Sequence, residues 1–173
     1  MSYNTKMINV FIIVAQSIDG FIGPKEHANS MSWTSGADKL FFKKKTKEAG
    51  VIIMGRTTFD TIGHALPDRR MIVYTSRPLN IEGVETTQES PKDLLNRLES
   101  EGLSSVAICG GSSIYSLFLE ANLVQNIFIT LEPILFGEGI RIFNTAITKK
   151  LELLSSTTLD PNTLLLEYKI KSD

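Results

Sequence analysis

The stretch VIIMGRTTFDTIGHALPDRR, residues 51–70, decides the fold. Its apolar run Val51–Met54 is short and uncharged, which is typical of a fully buried strand. The run stops at Gly55, and apolar residues then recur at helical spacing. A strand that passes through glycine into a helix leaves unpaired backbone N–H groups at the helix start. The stretch therefore predicts either an ordinary strand–turn–helix unit with a surface arginine, or an anion-binding turn that places Arg56 beside a phosphate.

Composition and charge narrow the class of protein. The 173 residues are enough for one domain, residues 1–173, with a real core. A net charge of −1 argues against nucleic acid as a partner, and the run Lys43–Lys45 is interpreted as a solvated helix surface. One cysteine excludes an internal disulfide, and the two histidines form no metal-binding pattern. No apolar stretch approaches the ~20 residues that span a bilayer, so we expect a cytoplasmic monomer or homodimer that does not bind membranes.

A long loop follows the first predicted strand, Met7–Ala15. This loop, residues 16–33, carries the turn-forming residues Gly20, Gly23, Pro24, Asn29 and Ser30. It is long for a connection inside a compact domain, and such loops are often lids or binding loops. Its apolar residues indicate that it packs back over the rest of the molecule.

Ser35 and Asp38 form an S-x-x-D capping pattern that predicts a helix running to about Ala49. At 100° per residue, Asp38 falls on the same side of this helix as Phe41 and Phe42. Asp38 then has two interpretations. It caps the helix and favours the helix dipole, or it is a partly dry acid that faces a ligand with paired N–H donors.

Two further strand ends carry groups that suit phosphate. Thr75-Ser76-Arg77 follows the predicted strand Met71–Tyr74 and predicts either a capped turn or a second phosphate clamp near Arg56. Gly110-Gly111-Ser112-Ser113 follows the strand Ser105–Cys109 and opens a helix, Ile114–Glu120. A glycine pair lets a diphosphate approach the backbone closely, although the G-x-G-x-x-G fingerprint is absent.

The remaining elements complete an α/β layout. They are a short strand at Val84–Thr86, a helix at Asp93–Glu101, a strand at Asn126–Leu131, and a hairpin of Lys150–Thr158 with Thr163–Ile170. Strand–helix units followed by a hairpin predict a mostly parallel sheet, with helices on both faces and an antiparallel edge.

Five motifs in this order make the chain resemble dihydrofolate reductase as far as about Thr130. They are DGFIG (19–23), the spacing Trp33–Asp38–Phe42–Thr46, IMGRTTFDTIG (53–63), ALPDR (65–69), and CGGSSIY (109–115). The resemblance implies a three-layer α/β fold around an eight-stranded mixed sheet, with NADPH as hydride donor. It also implies the reduction of 7,8-dihydrofolate to tetrahydrofolate.

Carried over by position, the resemblance makes Asp38 the catalytic residue. This carboxyl would hold the ring nitrogen and amino group of the pteridine and promote protonation of the imine nitrogen. The expected substrate-binding residues are Ala15, Asp38, Phe42, Ile62, Leu66, Arg69, Cys109, Tyr115 and Thr130. The expected NADPH-binding residues are Ala15, Ile22, Gly55, Arg56, Thr57, Thr58, Thr75, Ser76, Arg77, Cys109, Gly110, Gly111, Ser112, Ser113, Ile114 and Tyr115.

The sequence departs from that family in its last third. EPILFGEGIRIF (132–143) resembles the reductase domain of riboflavin synthesis, which also uses NADPH but reduces an opened ribose on a pyrimidine. Lys39 stands where an apolar pocket residue is usual, and the loop before Trp33 is longer than in compact bacterial enzymes. Asp38 and Arg69 favour the folate reaction. The alternatives are a ribosylamino-pyrimidine phosphate as substrate, or a nucleotide-binding module without chemistry.

Overall fold

The structure is a computed structural model that describes residues 7–25 and 30–172. Glycine or proline lies at several boundaries between elements, where a helix or strand begins or ends. The strands are β1 (Asn9–Ser17), β2 (Val51–Gly55), β3 (Arg70–Tyr74), β4 (Val84–Thr87), β5 (Ser105–Ile108), β6 (Asn126–Glu132), β7 (Leu151–Asp160) and β8 (Thr163–Ile170). The helices are α1 (Gly36–Ala49), α2 (Arg56–Ile62), α3 (Pro91–Ser100) and α4 (Ser112–Glu120), with a 3-10 turn at Ser30–Ser32 before α1.

One eight-stranded sheet has the order β4-β3-β2-β5-β1-β6-β8-β7. All pairs from β4 to β6 are parallel, while β8 runs antiparallel to both β6 and β7. The prediction of a mostly parallel sheet with an antiparallel C-terminal hairpin is confirmed. The last strand, β8, lies beside β6, so that β7 becomes the edge of the sheet.

Two apolar cores lie on opposite faces of the sheet. Phe59 from α2 and the half-buried Phe41 from α1 pack on one face. Leu94 from α3 and Phe118 from α4 pack on the other. The predicted helices on both faces are therefore confirmed, and burying one such side chain stabilises the fold by about 1.5–3 kcal/mol.

The predicted boundaries differ from the observed ones mainly at strand ends. β6 was expected to break at Glu132, but it continues through that residue, which pairs with Ser17 of β1. The following Pro133 cannot donate to the ladder, so the strand ends one residue later than expected. The helix expected at Ile114 begins at Ser112, because Gly111 already occupies the capping position.

Ion pairs join α3 and the residues next to it to β3 and β4. Arg97 pairs with Glu85 at 2.6 Å, with Glu89 at 2.8 Å and with Glu101 at 3.2 Å. Arg70 of β3 pairs with Glu85 at 2.7 Å and also contacts Glu101. The side chains are about one-third exposed, so the network stabilises through its shared geometry more than through any single pair.

Candidate active site

The candidate site lies where the carboxyl ends of the central parallel strands meet. Gly55 at the end of β2 donates its N–H to the carbonyl of Gly110, just after β5, at 2.8 Å. Ala15 of β1 stands opposite Thr130 of β6 in the register. Ligands of open α/β sheets bind at this edge, because the strand ends there leave a crevice. The structure therefore brings together four segments that are far apart in the sequence.

Asp38 enters this region from the first turn of α1. Ser35 caps the helix and accepts a hydrogen bond from the backbone N–H of Asp38 at 3.1 Å, as the capping pattern predicts. The Asp38 side chain is buried, with 9% of its surface exposed, and hydrogen-bonds with the hydroxyl of Thr130. Asp38 is therefore more than a cap, since its carboxyl faces the end of β6.

The surroundings of Asp38 favour its protonated form. Burial raises the pKa of Asp38 from 3.8 to about 6, and the nearby negative charge of Glu132 adds to the rise. The hydrogen bond from Thr130 and the charge of Lys39 act in the opposite direction. A carboxyl with this pKa can give or hold a proton near neutral pH.

Apolar side chains extend from Asp38 along α1 and α2. Phe42, Ile62 and Leu66 are half-buried and pack against the core on this face of the sheet. Arg69 donates to the hydroxyl of Thr46 at 2.8 Å, and thus lies near the far end of α1. Thr46 and Asp38 are eight residues apart, or about 12 Å along the helix axis. Within residues 7–25 and 30–172, no carboxylate forms an ion pair with Arg69.

The glycine pair after β5 forms a tight cradle beside β2. Gly110 has φ +112°, and a Cβ added there would come within 3.1 Å of the Tyr115 hydroxyl. A Cβ on Gly111 would lie 3.3 Å from the Thr58 hydroxyl. Tyr115 is itself fixed, because it donates to the carbonyl of Ile13 at 2.9 Å. A side chain at either position would press on Tyr115 or Thr58, so this close packing favours glycine at both.

The other expected cofactor residues around this cradle differ in the packing contacts and hydrogen bonds that they make. Ile114 packs against Gly55, where an added Cβ would meet it at 3.1 Å. Ser112 donates to the carbonyl of Arg141 at 2.5 Å, and Ser113 accepts from Asn144 at 3.3 Å. Their hydroxyls thus hold the segment after β6. The backbone N–H of Ile22 donates to the carbonyl of Ile140 at 2.8 Å. Cys109 is buried, whereas Thr57 is exposed.

A polar depression lies between the ends of β2 and β3, which are paired in parallel as the phosphate-clamp prediction required. Its lining residues are Arg56, Asp60, Thr75, Ser76 and Arg77. Arg56 forms an ion pair with Asp60 at 2.7 Å, so one of the two cations is already neutralised. Arg77 is exposed, and its backbone N–H donates to the Thr75 hydroxyl at 3.1 Å. The depression therefore offers an anion hydroxyls, helix N–H groups and the guanidinium of Arg77, which forms no ion pair among residues 7–25 and 30–172.

The described parts of the loop, residues 16–25 and 30–33, pack against the segment after β6. The carboxylate of Asp19 accepts backbone hydrogen bonds from Phe136 at 3.1 Å and Gly137 at 2.7 Å. Trp33, where the loop ends, makes an edge-to-face contact with Phe136 at 5.2 Å between ring centroids. The prediction that the loop packs back is confirmed for these parts, while residues 26–29 of the predicted loop lie outside the described residues.

Sequence reasoning missed two residues of the site region and left the role of a third, Lys39, open. Asp60 follows Arg56 by four residues, and that helical spacing would have predicted their ion pair. Glu132 was expected to lie just past the end of its strand, as the first residue of the riboflavin-type segment 132–143, yet it is 1% exposed and accepts from Ser35 at 2.9 Å. Lys39 donates to the carbonyl of Met31 at 2.9 Å, so its ammonium lies against the segment before α1.

Two classes of site have no support in the described part of the chain. Among residues 7–25 and 30–172, no group of three His, Cys, Asp or Glu side chains is placed to hold a metal ion. In the same ranges, no helix has the length and apolar character needed to cross a bilayer.

Comparisons with known proteins connect this geometry to a family. A family model described as dihydrofolate reductase matches residues 9–136. A relative named dihydrofolate reductase, from Buchnera aphidicola subsp. Baizongia pistaciae, is 33% identical over 136 residues, which are 76% of each chain.

Solved structures share the fold over nearly the whole chain. Dihydrofolate reductase from Enterococcus faecalis, complexed with NADP(H) and RAB-propyl, has a TM-score of 0.75 and 25% identity, with 95% of this chain and 97% of that chain covered. A putative riboflavin biosynthesis protein from Shewanella sp. PV-4 has a TM-score of 0.79 and 21% identity, with 95% and 100% covered. The second likeness shows the fold alone.

Proposed function

We propose a specific reaction for this chain, which belongs to the dihydrofolate reductase family: the NADPH-dependent reduction of 7,8-dihydrofolate to 5,6,7,8-tetrahydrofolate. The carbon of the pteridine C=N bond receives a hydride, and its nitrogen receives a proton. When bound, NADPH supplies the hydride and leaves as NADP⁺. The observation that carries the proposal is the buried Asp38 carboxyl at the carboxyl edge of the sheet, with a pKa of about 6.

Asp38 has two tasks in this reaction. Its two carboxyl oxygens can accept the paired N–H groups of the pteridine ring, which fixes the ring in one orientation. Its raised pKa keeps a proton available near neutral pH, and a protonated C=N nitrogen accepts a hydride on the adjacent carbon more readily. Thr130 holds the carboxyl from the β6 side through its hydroxyl.

The apolar wall next to Asp38 would suit an extended, flat substrate. Phe42, Ile62 and Leu66 offer apolar surface beside it, which also keeps water away from the reacting bond. Arg69 contacts Thr46, about 12 Å from Asp38 along the axis of α1, and would pair its guanidinium with the carboxylate of the aminobenzoylglutamate tail. Ala15, Cys109 and Tyr115 would complete the pocket, as the family resemblance predicts.

The residues present fit NADPH. The cradle at Gly110 and Gly111 admits close backbone approach, and Ile114 and Thr58 border it. The depression around Thr75, Ser76 and Arg77 would hold the 2′-phosphate, which distinguishes NADPH from NADH. The structure of the Enterococcus faecalis relative with NADP(H) supports this cofactor. Gly55, Arg56, Thr57 and the N–H groups of Ser112 and Ser113 would lie along the diphosphate.

The test is the consumption of NADPH by the purified protein, followed by absorbance, with dihydrofolate or with a ribosylamino-pyrimidine phosphate. We expect oxidation with dihydrofolate, inhibition by methotrexate, and a loss of at least ~100-fold in kcat for Asp38→Asn, with NADPH still bound. Asp93→Asn is the matched control. Asp93 occupies the equivalent position in the first turn of α3, which Ser90 caps, but it is exposed.

The alternative substrate is retained for one specific reason. Residues 132–143 carry the pattern of the riboflavin-type reductases, and they pack against the loop of Asp19 beside the site. Oxidation of NADPH only with the pyrimidine phosphate would replace the folate proposal. Binding of NADPH without oxidation by either substrate would instead identify a nucleotide-binding module.

A further inference from the structure

Glu132 is a second carboxyl at the site, and the proposed reaction has no task for it. It lies at the end of β6, two residues after Thr130, so both side chains point to the α1 face of the sheet. Glu132 is 1% exposed, and a buried charge of this kind is costly unless its surroundings stabilise it. Its position therefore needs an explanation beyond surface charge.

A single hydroxyl connects Glu132 to Asp38. Ser35 donates its Oγ–H to Oε1 of Glu132 at 2.9 Å. The Oγ of Ser35 in turn accepts a hydrogen bond from the backbone N–H of Asp38 at 3.1 Å. The donated hydrogen bond fixes the Ser35 lone pair toward the helix N-terminus. The first turn of α1 is thus anchored on β6 by the carboxylate. The positive end of the helix dipole also favours a negative charge at this position.

We infer that Glu132 is a positioning residue for Asp38: through Ser35 it fixes the first turn of α1 against β6, and its negative charge opposes a second one on Asp38. The inference rests on the proposed function for its catalytic consequence. Glu132 does not touch the reacting atoms. It acts through the orientation of Asp38 and through the balance between the protonated and ionised forms of that residue.

Other groups that face Asp38 do not supply this effect. From α1, the charge of Lys39 favours ionisation of Asp38, and from β6 the Thr130 hydroxyl does the same. From the glycine cradle, burial raises the pKa of Cys109 and of Tyr115, so these two groups stay neutral near neutral pH. Within the described residues, Glu132 is the one charge near Asp38 that favours the protonated carboxyl.

The test compares Glu132→Gln with the wild type. The amide oxygen of glutamine can still accept from Ser35, so this change removes the charge and keeps the shape. We expect the Asp38 pKa, read from its carboxyl carbon by NMR without substrate, to fall by at least ~0.5. With dihydrofolate, the pH profile of kcat/KM should move down by the same amount, which lowers the rate about three-fold above its midpoint.

Glu132→Asp is the second variant, because it keeps the charge but withdraws it from Ser35 by one methylene. We expect its Asp38 pKa to stay near the wild-type value while kcat falls, since the first turn of α1 loses its anchor. Glu167→Gln, on the neighbouring strand β8, is the control and should move neither quantity. It removes an acid of the same type from the same sheet.

An unchanged Asp38 pKa in Glu132→Gln would overturn the inference, as would an unchanged kcat in Glu132→Asp. If glutamine prevents folding, Glu132→Asp and its kcat decide alone. The NMR titration needs no substrate, so it separates this inference from the proposed reaction. A shifted pKa in a protein that does not reduce dihydrofolate would keep the role of Glu132 and reject the reaction.

Discussion

Asp38→Asn should make the folded protein more stable at neutral pH, although it removes the proposed catalytic group. Burial raises the pKa of Asp38 from 3.8, the ordinary value for an aspartate, to about 6 in the folded state. Each step of one in pKa corresponds to about 1.4 kcal/mol, so keeping the ionised carboxyl in this site costs about 3 kcal/mol of unfolding free energy. Asparagine carries no charge and avoids this cost, apart from the hydrogen bonds that its amide must still find.

The sign of the pH dependence follows from the raised pKa. Below about pH 4 the Asp38 carboxyl is protonated in both the folded and the unfolded chain, so it contributes no difference. Between about pH 4 and pH 6 the unfolded chain releases the proton first, and wild-type stability falls as the pH rises. Above about pH 6 both states are ionised, and the cost is constant.

The measurement is urea or thermal unfolding of wild type and Asp38→Asn at several pH values from about 4 to 8. The difference in melting temperature should be near zero at the acid end and about 6–12 °C in favour of asparagine at neutral pH. Asp93→Asn should gain no stability at neutral pH, because that carboxyl is already exposed to water. A difference that does not grow with pH, or a less stable asparagine variant at neutral pH, would refute the reasoning.

Three further predictions concern the cofactor region and the ion-pair network. Arg77→Ala should raise the Kd for NADPH about ten-fold and leave that for NADH unchanged, as measured by fluorescence titration; equal effects on both would remove Arg77 from the 2′-phosphate. Gly110→Ala should lower the melting temperature and weaken NADPH binding in calorimetry, because alanine is strained at a φ of +112° and its Cβ would press on the Tyr115 hydroxyl at 3.1 Å; unchanged stability and binding would contradict the cradle. Arg97→Met should lower the melting temperature by about 2–4 °C in low salt and by less in high salt; a loss independent of salt would point to packing instead.

The sequence was sufficient for the local elements of this fold. Unbroken apolar runs such as Val51–Met54 predicted buried strands, and S-x-x-D at Ser35 predicted the start of α1, where the observed cap is the expected one. A buried strand and a helix cap depend on residues only a few positions apart, so the spacing of residues in the sequence is enough to predict them. The hairpin of β7 and β8 was predicted for the same reason.

The order of the strands could not be predicted from spacing. The meeting of Gly55 with Gly110 requires β5 to lie between β2 and β1, and the insertion of β8 beside β6 leaves β7 at the edge. Local patterns do not encode which strands become neighbours, because that choice depends on packing across the whole sheet. The family resemblance supplied this information for the site, whose residues come from several strand ends.

Glu132 was missed because its environment is entirely non-local. A glutamate before proline is typical of a strand end at the surface, and the residue that accounts for its burial, Ser35, is 97 positions away. Charged side chains are rarely this buried without a partner, so the sequence offered no reason to expect it inside. Asp60 differs, since its partner Arg56 stands one helical turn away and the spacing rule applies directly.

The two buried acids also explain why the expected gain in stability is informative about function. A fold selected only for stability would place a neutral residue at Asp38, because burial makes the ionised form costly. It would have still less reason to keep Glu132, whose charge increases that cost. Both acids are buried, and neither belongs to the ion-pair network of Arg97. Stabilisation by Asp38→Asn together with loss of reduction would therefore show that the cost is borne for the chemistry of this site.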